Sequence, residues 1–260
     1  MTNNLHQFID KKNYKSVPID EGKSFKFTCS KQCWDTCCRE QNAGLLQLSV
    51  YDVYSLLTVR SDVPVLDLIQ VKIDEETNLP RAFIKWNSER VCPNLNADST
   101  CSVYEHRPFA CRVFPLEAKF VIDDKTNSIE VKYAVKENVC FGFHKEANPQ
   151  DISLSKFLNK SNYENYLKFE KIEIFNRDKW IKKYPIKDLN PKKVHMLAQV
   201  LYCLKDKVKD KNAYFFDIYS EMLGIPKRFK EVEEFTPGEL STLALEELAP
   251  RFLEQFSNNG

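Results

Sequence analysis

The stretch that decides the fold of the first half of the chain is FTCSKQCWDTCCRE, residues 27–40. It places four cysteines, Cys29, Cys33, Cys37 and Cys38, within ten positions. In a helix the first three would share one face, and in a loop they could wrap a metal ion as zinc knuckles do. Either geometry lets sulfur atoms reach a common metal. The adjacent pair differs, because successive side chains diverge in both helix and strand, so one of Cys37 and Cys38 is expected to face another site or the core.

The chain around this stretch has the composition expected of a soluble cytoplasmic protein. Its start, MTNNLHQFIDKKNYKS, contains no apolar signal region, and no run approaches 18 apolar residues. In a reducing compartment nine cysteines, an odd number, indicate metal or redox chemistry rather than disulfides. The net charge of +1 offers no electrostatic footprint for nucleic acid or an anionic membrane, so neither partner is expected. The six glycines are too scattered for a G-x-G-x-x-G motif or a P-loop, which excludes the commonest nucleotide-binding enzymes.

The cysteines are distributed unevenly along the chain. The ninth, Cys203, lies beside an apolar stripe with helical spacing and is predicted to be a small buried hydrophobe. The other eight are the candidate metal ligands: Cys29, Cys33, Cys37, Cys38, Cys92, Cys101, Cys111 and Cys140. This asymmetry predicts a boundary near residue 150. We expect an N-terminal extension at 1–24, a cysteine-cluster metal-binding domain at 25–150 and a helical domain at 151–260.

The predicted fold class is α+β, with two β-hairpins in the cysteine-rich domain. Ser49 is a candidate N-cap for a short amphipathic helix that ends near residue 57. β-rich runs at 68–73 and 81–86 are separated by the turn-forming DEETNLP, which predicts the first hairpin. The runs 119–123 and 128–135 flank DKTN and predict the second.

The C-terminal region is predicted to be entirely helical. Proline and N-cap signals, including Thr236-Pro237, separate apolar-periodic segments at 161–183, 191–210, 213–223 and 238–256.

The charge of a thiolate site makes two arginines candidates for cofactor binding. Eight thiolates suffice for two four-ligand sites, or for one iron–sulfur cluster with extra thiols around it. Four thiolates on Zn²⁺ or on an oxidised [4Fe–4S] core leave a net charge near −2, which is costly to bury. Arg107 and Arg112 flank Cys111 and can donate charge-assisted N–H bonds to sulfur. The alternative is that they form surface ion pairs with Glu105 or Glu117.

Several motifs act together in the first half of the chain. They are F-x-C-x3-C-x3-C-C from Phe27, Asp52 in the following short helix, V-C-P-N-L (91–95), C-S-V-Y-E-H-R-P (101–108) and C-R-V-F-P (111–115). The combination resembles the YkgJ-type cysteine-cluster family, described as zinc- or iron-chelating domains, over about residues 25–143. The resemblance implies a hydrogen-bonding role near the metal for Tyr104. The opening CSKQCWDTCC is also similar to the start of the related flagellin lysine methylases, which implies an iron–sulfur cluster.

Three hypotheses of function follow from these observations. The expected function is a metal-binding protein that holds an iron–sulfur cluster, [4Fe–4S], or zinc. One alternative is a protein N-methyltransferase like the flagellin lysine methylases, with a protein substrate. Against it, the chain has no glycine-rich S-adenosylmethionine loop. The other alternative is a zinc-structured partner-binding module, metal carrier or redox sensor without catalysis, and no catalytic residue is assigned.

Overall fold

The computed structural model of the chain describes residues 15–29, 37–38, 46–137, 139–161, 163–225 and 232–257. The strands are β1 (Lys15–Ile19), β2 (Ser24–Phe27), β3 (Gln47–Leu48), β4 (Ile69–Ile73), β5 (Pro80–Ile84), β6 (Leu116–Asp123), β7 (Ser128–Glu137) and β8 (Gln150–Ser153). The helices are α1 (Val50–Val59), α2 (Val65–Leu68), α3 (Phe109–Val113), α4 (Leu154–Lys160), α5 (Glu164–Lys183), α6 (Pro191–Tyr202), α7 (Phe215–Met222), α8 (Pro237–Thr242) and α9 (Ala249–Ser257). A π-helical segment, Leu243–Leu248, joins the last two. Within these ranges, no helix combines the length and the apolar character needed to cross a bilayer.

The chain folds into two compact units that alternate along the sequence. Unit 1 contains residues 1–46 and 85–165, and unit 2 contains residues 47–84 and 166–260. Small antiparallel sheets accompany helices in both, which confirms the α+β class. Our predicted single boundary near residue 150 did not include this alternation. The first predicted hairpin belongs to the helix-rich unit, and β8 opens the segment that we expected to be all-helical.

Unit 1 contains a three-stranded sheet with the order β1-β7-β6. Strands β6 and β7 form the predicted second hairpin, in register from Leu116 opposite Val135 to Asp123 opposite Ser128. The Asp123 carboxylate accepts the Lys125 N–H at 2.9 Å, and Asn127 adopts a positive φ of 54°. These are the local interactions for which Asp and Asn are favoured in turns.

A second sheet in unit 1 pairs β2 with β8 over a cluster of aromatic rings. Phe27 packs against Phe143 and Phe157, with ring centroids 5.3 Å and 5.9 Å apart. The Thr28 N–H donates to the Gly142 carbonyl at 3.1 Å, so the end of β2 lies against the turn that follows Cys140. A Cβ atom at residue 142 would stand 2.7 Å from the Thr28 oxygen. This contact therefore requires glycine.

Unit 2 contains the sheet β3-β5-β4 and most of the helical residues. Strands β4 and β5 form the predicted first hairpin, with Ile69 opposite Ile84 and Ile73 opposite Pro80. Helix α6 packs against β5, α1 and α9. Its stripe of Val194, Leu197 and Leu201 is at most 1% exposed, as expected for the face of an amphipathic helix that forms the core.

Helix caps in unit 2 follow the sequence signals. The Ser49 hydroxyl accepts the Asp52 N–H and the Asp52 carboxylate accepts the Ser49 N–H, which is a capping box at the start of α1. Thr236 and Glu239 form a second capping box at α8. Helix α6 ends at Tyr202, earlier than predicted, because the chain turns at Cys203 and the Asp206 carboxylate accepts the Val65 N–H that begins α2. Cys203 is 2% exposed, which confirms its burial.

A network of buried charged groups lies beneath the start of α1 in unit 2. The Glu173 carboxylate accepts the Val50 N–H at 2.6 Å and the Arg177 Nε–H at 2.7 Å. Arg177 also donates to the Tyr202 hydroxyl at 2.7 Å, and this hydroxyl donates to the Pro80 carbonyl. Glu173 and Arg177 are only 5% and 4% exposed. The network therefore links α1, α5, α6 and β5.

Candidate metal centre

Four cysteines of unit 1 lie in one electrostatic neighbourhood. The Cys92 N–H donates to the Cys38 carbonyl at 2.7 Å. A hydrogen bond between the thiols of Cys38 and Cys92 raises the pKa of Cys38 far above its usual range, and burial adds to the effect. The charges of Cys92, Cys101 and Cys111 raise it further. We call Cys38, Cys92, Cys101 and Cys111 the four-thiol cluster.

A tight loop returns the chain from Cys92 to Cys101. The Leu95 N–H donates to the Cys92 carbonyl at 3.1 Å, and Leu95 forms an isolated antiparallel bridge with Cys101. Between them the Asn96 N–H donates to the Thr100 carbonyl at 2.8 Å, and Ser99 turns the chain with a positive φ of 65°. The hydrogen bonds of the NADST sequence therefore fold the chain back on itself, so that the backbone at Cys101 returns to the turn that begins at Cys92.

Two asparagines organise this loop and were not singled out from the sequence. The Asn87 side chain accepts the N–H groups of Glu89 and Val91 at 3.0 Å and 2.8 Å. The Asn94 carbonyl accepts both the N–H and the hydroxyl of Ser102 at 2.8 Å and 2.9 Å. For Asn87 the preference of asparagine side chains for such local turns was the available signal, although it does not reveal which cysteines the turns bring together. The Asn94 contacts use a backbone carbonyl and carry no such signal.

Cys111 enters the neighbourhood from helix α3. The chain passes through a 3-10 turn, Tyr104–His106, and Pro108 then precedes the helix. The Cys111 N–H donates to the Pro108 carbonyl at 3.0 Å. Pro108 precedes and Pro115 follows this helix of only five residues, which contains Arg112 and carries one thiol.

Arg112 is directed toward backbone carbonyls. Its side chain is buried, with 3% of the residue exposed. One Nη group donates to the Ser161 carbonyl at 2.8 Å and the other donates to the Glu105 carbonyl. This arginine therefore ties the 3-10 turn to the end of α4. The carboxylate of Glu117, one predicted alternative partner, instead pairs with Lys136 at 3.7 Å.

Arg107 lies on the ring of Tyr104, and its charge acts on Cys101. Its guanidinium carbon is 4.1 Å from the ring centroid, and Tyr104 is 40% exposed. Burial raises the pKa of the Cys101 thiol, while the Val103 N–H and the Arg107 charge act in the opposite direction. Arg107 Nε is buried and has no hydrogen-bond acceptor in the part of the chain that the structure describes.

The remaining candidate cysteines are placed differently. Cys29 is exposed, Cys37 is half-buried and Cys140 is 4% exposed. The bond from Thr28 to Gly142 brings the chain next to Cys29 close to the turn that follows Cys140. Cys33 lies outside the described residues. Whether these four cysteines contribute ligands stays a prediction.

Asp52, which the resemblance associates with the cysteine motifs, lies in unit 2. It is fully buried and its carboxylate completes the capping box of α1. The observed bonds give it a structural role in starting the helix.

The chemistry of the donor set fits a thiophilic metal. Within the described ranges, no three His, Cys, Asp or Glu side chains are close enough to hold a metal ion as they stand. The raised pKa of Cys38 and of Cys101 means that these thiols keep their protons at neutral pH in the absence of a cation. A bound Zn²⁺ or iron would supply the positive charge that deprotonates them.

The fold and the four-thiol cluster define a cysteine-rich chelating domain on a small α+β scaffold. Residues 28–140 match the family model described as "CxxCxxCC: Putative zinc- or iron-chelating domain". The match over this segment confirms the resemblance to the cysteine-cluster proteins. The match begins one residue before Cys29 and ends at Cys140, so it contains all eight candidate cysteines. No curated protein and no solved structure matches the chain. The relation to the lysine methylases stays a prediction.

Proposed function

We propose that the protein holds one zinc ion or one iron–sulfur cluster through the thiolates of Cys38, Cys92, Cys101 and Cys111. The observation that carries this proposal is the environment of Cys38, whose thiol is hydrogen-bonded to Cys92 and faces the charges of Cys101 and Cys111. Four thiolates are a complete ligand set for tetrahedral zinc and for a [4Fe–4S] cluster. One centre accounts for these four cysteines without a second site.

The role that the fold supports best for this centre is structural. From residue 85 to residue 108 the chain contains isolated bridge residues, turns and one 3-10 turn. A loop of this length without regular elements is uncommon in a compact domain and is usually functional. A metal bound by two thiols of this loop, by Cys38 and by Cys111 would cross-link three separate chain segments. Its binding free energy would then be part of the folding free energy of unit 1.

The residues of the chain would manage charge and protons when the metal binds. The four thiols release protons as they become ligands, so binding weakens as the pH falls. Partial burial limits access of water to the sulfurs, and Arg107 supplies a positive charge beside Cys101. A bound metal would supply the positive charge that keeps the sulfurs deprotonated, and an iron–sulfur cluster would add one-electron chemistry.

The test is anaerobic purification followed by metal analysis and absorption spectroscopy of wild type, Cys92→Ser and Cys203→Ala. We expect wild type to contain zinc, or iron with sulfide and a thiolate-to-iron charge-transfer band. Cys92→Ser should lose the metal because a hydroxyl is a poor ligand for soft metals. Cys203→Ala is the matched control, because Cys203 belongs to unit 2 and is buried there. Metal-free wild type, or equal metal content in wild type and Cys92→Ser, would contradict the proposal.

A Cys29→Ser variant addresses the number of sites. Cys29 is exposed and is not a member of the four-thiol cluster. Retention of the full metal content in this variant is the result expected for a single centre at the four-thiol cluster. Loss of half of the metal would indicate a second centre that includes Cys29.

A further inference from the structure

Arg112 joins parts of unit 1 that are far apart in the chain. One of its Nη groups donates to the Ser161 carbonyl at 2.8 Å, and the other donates to the Glu105 carbonyl. Only 3% of Arg112 and 5% of Ser161 are exposed, so water has little access to the bond between them. Hydrogen bonds from a charged donor are stronger than those between neutral groups. The guanidinium therefore holds helix α3, the 3-10 turn and the end of α4 together.

The bond to Glu105 connects the segments of two members of the four-thiol cluster. Glu105 lies four residues after Cys101, within the 3-10 turn Tyr104–His106. Arg112 follows Cys111 directly in α3. The bond between the Arg112 side chain and the Glu105 backbone therefore fixes the segment that carries Cys101 against the helix that carries Cys111.

The bond to Ser161 connects both segments to the aromatic core of unit 1. Ser161 is the C-cap of α4, where carbonyls lack partners within the helix and a cation is favoured. In the same helix Phe157 packs against Phe25 and Phe27 of β2, with ring centroids 5.5 Å and 5.9 Å apart. Helix α4 is thus part of a packed core, and Arg112 attaches the two cysteine segments to it.

Metal binding at the four-thiol cluster requires thiols from separate segments to meet. If these segments are mobile before the metal arrives, part of the binding free energy is used to order them. A group that holds ligand segments in place therefore raises the affinity without contacting the metal. The two bonds of Arg112 to carbonyls give it this position, since they restrain the backbone on which Cys101 and Cys111 stand.

We propose that Arg112 is a positioning residue that holds the Cys101 and Cys111 segments against α4 in the arrangement that the metal requires. This inference rests on the proposed function and deepens it. Arg112 acts through the backbone carbonyls of Glu105 and Ser161 and not through a bond to sulfur, which differs from the role that the sequence suggested for it.

The experiment compares Arg112→Gln, Arg112→Lys and the control Ile19→Ala in the full chain. Ile19 is 8% exposed in β1, a strand without cysteines, so its truncation destabilises unit 1 without removing either bond of Arg112. Zn²⁺ affinity is measured by competition with a chromophoric chelator, at a temperature at which every metal-free variant is folded. Co²⁺ titration reports the thiolate-to-metal charge-transfer band, and hydrogen exchange reports the mobility of residues 101–107.

Arg112→Gln should weaken Zn²⁺ binding about 10-fold, the lower limit of the range for groups that orient metal ligands. Its Co²⁺ band should keep the wild-type wavelength, because the same four sulfurs remain the ligands. Exchange in residues 101–107 should be faster than in wild type without metal and should slow when Zn²⁺ binds. Arg112→Lys should lose less affinity, since an ammonium group can donate to one of the carbonyls but lacks the planar fork for both. Ile19→Ala should keep the wild-type affinity and the wild-type exchange in residues 101–107.

Wild-type Zn²⁺ affinity in Arg112→Gln would overturn the inference while leaving the proposed function intact. An equal loss of affinity in Ile19→Ala would overturn it as well, because the arginine would then contribute only general stability. A shifted Co²⁺ band in Arg112→Gln would overturn it in favour of a direct bond to sulfur. If Arg112→Gln does not fold, Arg112→Lys decides, and wild-type affinity together with wild-type exchange in that variant would overturn the inference. If wild type binds neither Zn²⁺ nor Co²⁺, the proposed function fails and the inference fails with it.

Discussion

The ion pair between Glu173 and Arg177 provides a quantitative test of the buried network in unit 2. In Glu173→Gln the side chain keeps its shape but loses its charge. Arg177, 4% exposed, would remain as a buried cation without its carboxylate partner. The Val50 N–H at the start of α1 would also exchange a carboxylate acceptor at 2.6 Å for a neutral one.

The expected loss follows from the burial of both partners. Removal of one member of a buried pair typically costs about 3–5 kcal/mol, because the other charge is left uncompensated. The hydrogen bond from Arg177 to the Tyr202 hydroxyl remains and moderates the cost, so we expect a value near the lower limit, about 3 kcal/mol. This is a large fraction of the stability of an ordinary domain.

Glu170→Gln is the matched control on the same helix. Burial of its carboxyl group, together with the charges of Asp52 and Glu173, raises the pKa of Glu170 well above its usual range. The raised pKa favours the neutral form of Glu170, so its replacement by glutamine removes less charge than Glu173→Gln does. We expect a loss of less than about 1 kcal/mol, the contribution of one ordinary hydrogen bond.

The assay is urea unfolding at pH 7, followed by far-UV circular dichroism, in which unit 2 contributes most of the helical signal. The m-value must stay constant for the comparison to hold. Equal losses in Glu173→Gln and Glu170→Gln would refute the reasoning, as would a loss of less than about 1 kcal/mol in Glu173→Gln.

Three further predictions concern the metal, a turn and the pH. Removal of the metal by a chelator should speed hydrogen exchange in residues 85–108, while exchange in peptides of α6 should stay the same. Equal exchange rates in residues 85–108 with and without the chelator would contradict a structural role for the metal. Gly142→Ala should lower the unfolding free energy of unit 1 by about 1–3 kcal/mol, because the added Cβ would stand 2.7 Å from the Thr28 oxygen. Urea titrations measure this loss, and an unchanged unfolding free energy would show that the turn adjusts freely. Burial raises the pKa of Asp206 from 3.8 to about 6, so the folded state binds the proton of this carboxyl group more tightly than the unfolded state does. Protonated Asp206 therefore contributes stability that is fully present below pH 3.8 and is lost as the pH rises through 6. Asp206→Asn should remove that part of the difference in stability between pH 4 and pH 7, and an identical pH profile in the variant would count against it.

Local elements were predictable because their signals lie within a few residues. The helix capped by Ser49 and the hairpins around DEETNLP and DKTN form where the pattern indicates. Each depends on a cap, a turn or a strand alternation that neighbouring residues complete. The end of α6 was predicted too late, because the bond of Asp206 to the Val65 N–H joins positions that are distant in the chain.

The candidate site was predictable as a set of residue types and less so as an arrangement. The concentration of cysteines between residues 29 and 140 indicated a thiophilic metal, and the family match to residues 28–140 agrees with that chemistry. The spacing could not show which thiols meet, since the loop from Cys92 to Cys101 is folded by backbone hydrogen bonds within it. Arg107 and Arg112 are equivalent in the sequence, and only their surroundings distinguish them.

The sequence by itself therefore determined the α+β class, the local elements and the soft-metal chemistry of the first half of the chain. Short-range hydrogen bonds, side-chain periodicity and the softness of sulfur are sufficient for these conclusions. Only the tertiary structure decided that residues 47–84 join the C-terminal helices, that Cys38 lies near Cys92, Cys101 and Cys111, and that Glu173 reaches the start of α1. These features are contacts between residues far apart in the chain, and they form because burial of distant apolar faces brings specific polar groups together.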